Sequence, residues 1–272
     1  MPIRKSSVIV VLLMLFTFAG ISAATTYTAA NVKGSYSLLA NAYGGASTSQ
    51  AAAVGIFNFD GVSAVTGYVT NIDDGILNVQ TISSGSYTVS ANGHGSVTAT
   101  FTGINGSGTW QIAFVLNSVS ASVARSLQAI LIDTGAGDPR AWSISATSIN
   151  LTTAATAARL KGTYSVLLNW WATGTQQDAV GTFVFDGKSK VTSSVTYQVP
   201  EGTATTVTGT GTYSVNSDGS GSISLALSNT TTMDLDFVMN TATGTAVAKG
   251  IQLLEVDNPS STTVVTGNAV FE

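Results

Sequence analysis

The chain has 272 residues, 44% of them hydrophobic and only 9% charged, with ten Lys and Arg against fourteen Asp and Glu and no Cys. That composition excludes a disulfide-stapled scaffold, a Cys-built metal centre and a basic surface able to track a phosphate backbone, so nucleic acid is not an expected partner. Ser and Thr supply 72 residues and Gly 28, a surface made polar by hydroxyls, and this mixture favours strands over helices.

At the N-terminus, Arg4 and Lys5 precede an unbroken apolar run from Val8 to Phe16, and the small residues Ser22 and Ala24 suit cleavage after Ala24. Residues 1–24 therefore read as a secretory signal peptide. The run is shorter than the roughly 20 apolar residues a spanning helix needs, so stable membrane insertion is not expected. The expected location is outside the cytoplasm: extracellular, at the cell surface or in the periplasm. Without Arg4 and Lys5 the exported chain keeps eight basic residues against fourteen acidic ones, a net charge of −6.

From residue 25 on, the chain repeats itself. KGSYSLL (33–39) returns as KGTYSVL (161–167), AVGIFNFDGVSAVTG (53–67) as AVGTFVFDGKSKVTS (179–193), SGSYTVSANGHGS (84–96) as TGTYSVNSDGSGS (210–222), and FVLN (114–117) as FVMN (237–240). The offset drifts only from 128 to about 123, so one unit of about 120 residues occurs twice. The expected divisions are 25–149 and 150–272, with INLTTAATAARL (149–160) as linker.

In the first unit, strand-like runs fall at 34–43, 52–60, 64–72, 76–82, 85–91, 95–103, 109–117, 123–133 and 140–148. Turn residues such as Gly44-Gly45, Asp60-Gly61, Asp73-Asp74-Gly75 and Gly93-His94-Gly95 separate most of them. The second unit repeats this with Asp186-Gly187, Pro200-Glu201-Gly202, Asp218-Gly219 and Asn258-Pro259. Eight or nine short strands with no helical period describe an antiparallel meander, and the fold expected is all-β: two tandem barrels of about eight strands each, with a β-sandwich as the alternative. Phe57, Phe59, Tyr87 and Val89, with their twins Phe183, Phe185, Tyr213 and Val215, are the expected core. The runs 126–133 and 250–256 are apolar on both faces, so their outer face is expected to cover the partner unit or another chain.

Few residues could carry chemistry. His94, the single histidine, sits at a hairpin tip where the twin has Ser220, and neither a zinc cluster nor a Cys-His pair can be built. Asp60 and Asp186 head Asp-Gly turns, where a carboxylate caps its own backbone. Asp73-Asp74 lies in a turn. Asp234 and Asp236 share one strand face, which satisfies the two-carboxylate requirement of glycoside hydrolysis. Their twins Gln111 and Ala113 show that the unit folds without them, and a solvent-facing strand surface is expected there. Gln128 and Gln252, at equivalent places, are each expected to satisfy a buried backbone group. No catalytic residue, cofactor or metal is assigned. Residues present in only one unit are the candidates for a special activity. Of these, Trp170 and Trp171 in the second unit are chemically suited to binding, while the first unit alone has His94, Trp110 and Trp142.

Three motifs carry a resemblance: Leu-x-Gly-x-Tyr (160–164), Gly-x-Phe-x-Phe-Asp-Gly (181–187) and Gly-Thr-Tyr-Ser-Val-x-x-Asp-Gly-x-Gly (211–221). Together they resemble a group of uncharacterised secreted bacterial β-proteins built of such units. The first unit departs from the pattern at Asn92, where the second has Asp218. The resemblance implies fold and export, not an activity. In size and meander each unit is also similar to avidin-type and lipocalin-type barrels, with no ligand motif to carry over. The function expected is that of a secreted or cell-surface, non-catalytic protein with a structural or adhesive role. The alternative is an extracellular binding protein holding a small apolar ligand or a glycan at a barrel mouth beside Trp170 and Trp171; an outer-membrane barrel or a glycan-active enzyme comes after these.

Overall fold

The computed structural model describes residues 26–43, 50–73, 75–103, 106–120, 122–133, 141–172, 175–198, 202–240, 243–244, 246–257 and 263–272. The leader at 1–24 and the turn residues Gly44-Gly45, Asp74, Pro200-Glu201 and Asn258-Pro259 lie outside them.

The first unit enters through a 3-10 turn, Ala29–Val32, and continues as β1 (Gly34–Tyr43), β2 (Ala51–Phe59), β3 (Val65–Asp73), β4 (Ile76–Val89), β5 (His94–Gly103), β6 (Gly106–Ser120), β7 (Val123–Asp133) and β8 (Ala141–Leu151). Each strand pairs antiparallel with the next, and β8 returns to β1, closing an eight-stranded barrel. The second unit starts with a 3-10 turn at Ala157–Arg159 and runs through β9 (Lys161–Ala172), β10 (Thr175–Asp186), β11 (Lys190–Gln198), β12 (Thr205–Val215), β13 (Ser220–Leu227), β14 (Thr232–Asn240), β15 (Thr243–Gly244), β16 (Gly250–Glu255) and β17 (Thr263–Phe271). Its barrel closes through β17 and β9, with β15 left out. The architecture is therefore a pair of tandem antiparallel barrels rather than a sandwich. Closure leaves every barrel strand paired on both sides.

The runs at 76–82 and 85–91 belong to a single strand, β4, whose register against β5 shifts between Ile82 and Ser84. An extra residue in one strand resembles a break when read from sequence, but the ladder passes through it.

Alternation sends one set of side chains into each lumen. In both barrels a Tyr–Phe–Tyr cluster fills the end beside the 3-10 turn. Phe59 meets Tyr36 and Tyr87 with ring centroids 5.6 and 4.9 Å apart, and Phe185 meets Tyr164 and Tyr213 at 5.3 and 5.0 Å. The hydroxyls of this cluster donate to buried backbone carbonyls: Tyr36 to Ala124 at 2.7 Å and Tyr164 to Ala248 at 2.6 Å. Tyr87 and Tyr213 tie the 3-10 turns in place by donating to Ala29 and Ala157 at 3.2 and 3.0 Å. The repeated Gly-x-Gly of the hairpin has two separate causes. Gly93 and Gly219 adopt φ of +84° and +92°, which side chains rarely tolerate. Gly95 and Gly221 leave room for the Phe114 and Phe237 rings, which a Cβ would strike.

The barrels touch through unlike outer faces. Leu39 of β1, Val54 and Ile56 of β2 and Ile72 of β3 are buried in one cluster with Val238 of β14 and Leu254 of β16. Thr266 of β17 donates to Asn41 Oδ1 at 3.0 Å, Thr70 and Asp236 line one pocket at the junction, and β15 adds two residues in parallel to the end of β8. The outward face of β16 thus covers the partner unit, whereas the outward face of β7 does not.

Candidate functional site

The lumens differ at the end away from the 3-10 turns. In the first barrel three large rings fill it: Phe101 and Trp110 have centroids 4.7 Å apart, and Trp110 and Trp142 are 5.7 Å apart. All three are buried. The ladder fixes their twins. Ala99 pairs with Trp110 as Leu225 pairs with Met233, and Ala42 with Trp142 as Trp170 with Val265. Leu227, Met233 and Val265 thus stand in the second barrel where Phe101, Trp110 and Trp142 stand in the first. A cavity of about 300 Å³ opens there, lined by Leu168, Phe183, Val195, Leu225, Leu227, Met233 and Val265 among others.

Two polar groups reach this otherwise apolar space. Ser193 of β11 is buried, and its hydroxyl has no hydrogen-bond partner. An unsatisfied buried hydroxyl costs about 1–3 kcal/mol and is relieved by any ligand atom that can bond to it. Glu255 closes β16 in lumen-facing register after Ile251 and Leu253, both fully buried. It faces Leu235 as Leu131 faces Ile112 in the first barrel, so a carboxyl replaces an apolar side chain. Burial and the neighbouring Asp257 carboxyl push its pKa up to about 7. Tyr197, Asn229, Thr231 and Thr232 complete the rim.

Trp170 and Trp171 lie near the end of β9, paired with Gln177 and Gln176 on one side and Val265 and Val264 on the other. Their backbone is therefore at the cavity end of the second barrel; their side chains lie outside the described residues. Asp234 and Asp236 are on the outward face of β14, and Asp236 lies beside Thr70 of the first barrel. Each is only partly exposed, and burial raises the pKa of Asp236 although the Thr70 hydroxyl opposes this. At Asp236 the expected solvent-facing surface is instead a junction between units, because the first barrel covers it. Gln252 is buried in the same junction with Oε1 unpartnered, and Gln128 is exposed, so neither satisfies a core backbone group. His94 is exposed at its hairpin. Asp60 Oδ1 accepts from the backbone N–H groups of Val62, Ser63 and Ala64 at 2.7, 2.9 and 3.0 Å. Asp186 does the same for Lys188, Ser189 and Lys190 at 2.7, 2.9 and 2.9 Å. Both are turn caps.

Sequence reasoning passed over Glu255 and Ser193. Their signal was present in the alternation: Ile251, Leu253, Glu255 on one strand and Val191, Ser193, Val195 on another place a polar residue on the core register.

In comparisons with known proteins, no family model matches the chain, and no curated protein matches it.

Proposed function

We propose that the chain is an exported, non-catalytic binding protein that holds a small, mainly apolar molecule in the lumen of its second barrel, with the first barrel serving as a solid structural companion. The observation that carries this is the cavity of about 300 Å³ in the second barrel, at the end where the first barrel holds Phe101, Trp110 and Trp142 in contact. That volume is at the lower limit of small-molecule sites, which are concave, mostly apolar and furnished with a few placed polar groups. Ser193 and Glu255 are those groups, so the ligand has an apolar body and one hydrogen-bonding end. The apolar lining favours such a molecule over a glycan.

Export is supported by the leader and by the resemblance to secreted β-proteins. A lipid-facing barrel would need an apolar outer band, and the outer face of β12 is Thr206, Thr208, Thr210, Thr212 and Ser214, all exposed.

Titration with 1-aminoanthracene, an apolar fluorophore carrying one amine, tests the reading. The expected result is saturable enhancement at one site per chain, abolished by Met233→Trp or Val265→Trp and unchanged by Ile130→Glu on the outside of the first barrel. Absence of saturable binding, or binding that persists in a folded Met233→Trp variant, overturns it.

A further inference from the structure

The contact between the two barrels joins unlike faces, so in a chain of two repeats one face of each kind is left over. On one side of the junction, a row across β1, β2 and β3 is made of Leu39, Val54 and Thr70. On the other, a row across β13, β14 and β16 is made of Ser220, Val238 and Gln252. The second barrel repeats the first row as Leu167, Val180 and Thr196. The first barrel repeats the second row as His94, Val115 and Gln128. Five of these six positions keep the residue type found at the junction, and the hydrogen-bond register is the same.

Exposure separates the used faces from the unused ones. Leu39 and Val54 are 6% and 2% exposed, against 45% and 57% for Leu167 and Val180; Val238 and Leu254 are 1% and 0%, against 37% and 55% for Val115 and Ile130. The free face of the first barrel is also concave, a groove of about 570 Å³ lined by His94, Val115, Gln128, Ile130 and Ser145 that runs up to Leu39 at the edge of the junction. At the equivalent place on the second barrel, Val54 of the first lies beside Val238.

We propose that copies of this chain assemble head to tail, the outer face of β9, β10 and β11 of one copy seating in the β5 to β8 groove of the next, with Val180 taking the place that Val54 takes at the junction within the chain. The occupant is a second copy because the molecule already contains this contact once, between twins that share its registers and five of the six residues of its two rows. A heterologous contact of this kind propagates: each added copy again presents one free face of each type, giving an open filament or a ring. The contact between copies is weaker than the one within the chain. Thr182, Gln198 and Asp178 stand in place of the buried Ile56, Ile72 and Ala52, and Ser194 and Ala113 in place of Tyr68 and Asp236, while Asn169 and Ser143 retain the polar pair corresponding to Asn41 and Thr266. The junction within the chain also gains from the tether, which makes it intramolecular. Assembly is therefore reversible and concentration-dependent, and it is independent of any ligand in the lumen.

Sedimentation velocity over a concentration series tests the proposal, on the full chain and again with residues 1–24 removed so that aggregation driven by the leader is told apart. The expected mass average climbs from the 27.6 kDa of one chain to twice that and beyond. Ile130→Glu and Val180→Glu should each stay at one chain's mass, and their equimolar mixture should stop at two, because one intact groove then meets one intact plug. Both sites are more than half exposed in the single chain, so the thermal melts should match wild type. Should either variant melt low, Gln128→Lys and Val184→Glu replace them in the same scheme. A wild-type chain that keeps one chain's mass up to millimolar concentration overturns the proposal. So does a Val180→Glu variant that pairs as well as wild type, which would mean like faces meet, or a wild-type assembly that Ile130→Glu leaves unchanged, which would place the contact elsewhere.

Discussion

Trp110 and Trp142 meet with ring centroids 5.7 Å apart and planes inclined by 45° at one end of the first lumen, and this pair sets the two barrels apart. Truncating Trp110 to Ala removes the centre of the Phe101–Trp110–Trp142 cluster. The expected loss is about 3–5 kcal/mol, the usual cost of deleting a large buried aromatic, measured by denaturant unfolding. Met233→Ala at the twin site should cost less, because Met233 already borders open space.

Glu255 gives stability a pH dependence of defined sign. Its pKa in the folded chain, about 7, lies above the ordinary 4.5, so between those values the folded state binds more protons than the unfolded one. Stability therefore falls as pH rises from about 4.5 to 7, and Asp236, also raised, acts in the same direction. Thermal melts of wild type and Glu255→Gln across that window should converge at low pH and separate toward neutrality, the variant being the more stable at pH 7. A wild-type melt that rises through this window would contradict the assignment.

The capping carboxylates act in the opposite direction. Backbone N–H groups hold Asp60 and Asp186 below their ordinary 3.8, so their contribution is present above that value and lost as pH falls through the depressed one. Asp60→Ala and Asp186→Ala should each lower the melting temperature at pH 7, and Asn at either position should recover part of the loss through its own side-chain oxygen. Together with Glu255, this puts maximal stability on the acid side of neutrality.

Removing the Tyr36 or Tyr164 hydroxyl with Phe leaves the Ala124 or Ala248 carbonyl without its buried donor. A loss of about 1–3 kcal/mol is expected for each, and calorimetry of the two variants should give similar values because the twin environments are alike.

Much of this architecture was legible in the sequence. Phe57, Phe59 and Tyr87 recur with their spacing as Phe183, Phe185 and Tyr213, and turn residues mark the ends of most strands. A bulge at Ser83 hid the continuity of β4, since one inserted residue inverts the alternation without breaking the ladder. Asp234 and Asp236 were correctly placed on an outer face, but local alternation does not show that another barrel covers that face. The open lumen escaped notice because its lining residues Leu227, Met233 and Val265 come from three strands and meet only after the barrel closes. Glu255 was hidden by its apolar neighbours Ile251, Leu253 and Leu254, which made the whole run read as core.

The 3-10 turn that Tyr213 secures beside Leu160 makes the second lumen a cul-de-sac. A molecule inside must leave by the opening through which it came, and a competitor cannot push it from behind. Release should therefore follow first-order kinetics, with a rate constant that does not change with the concentration of the competing compound.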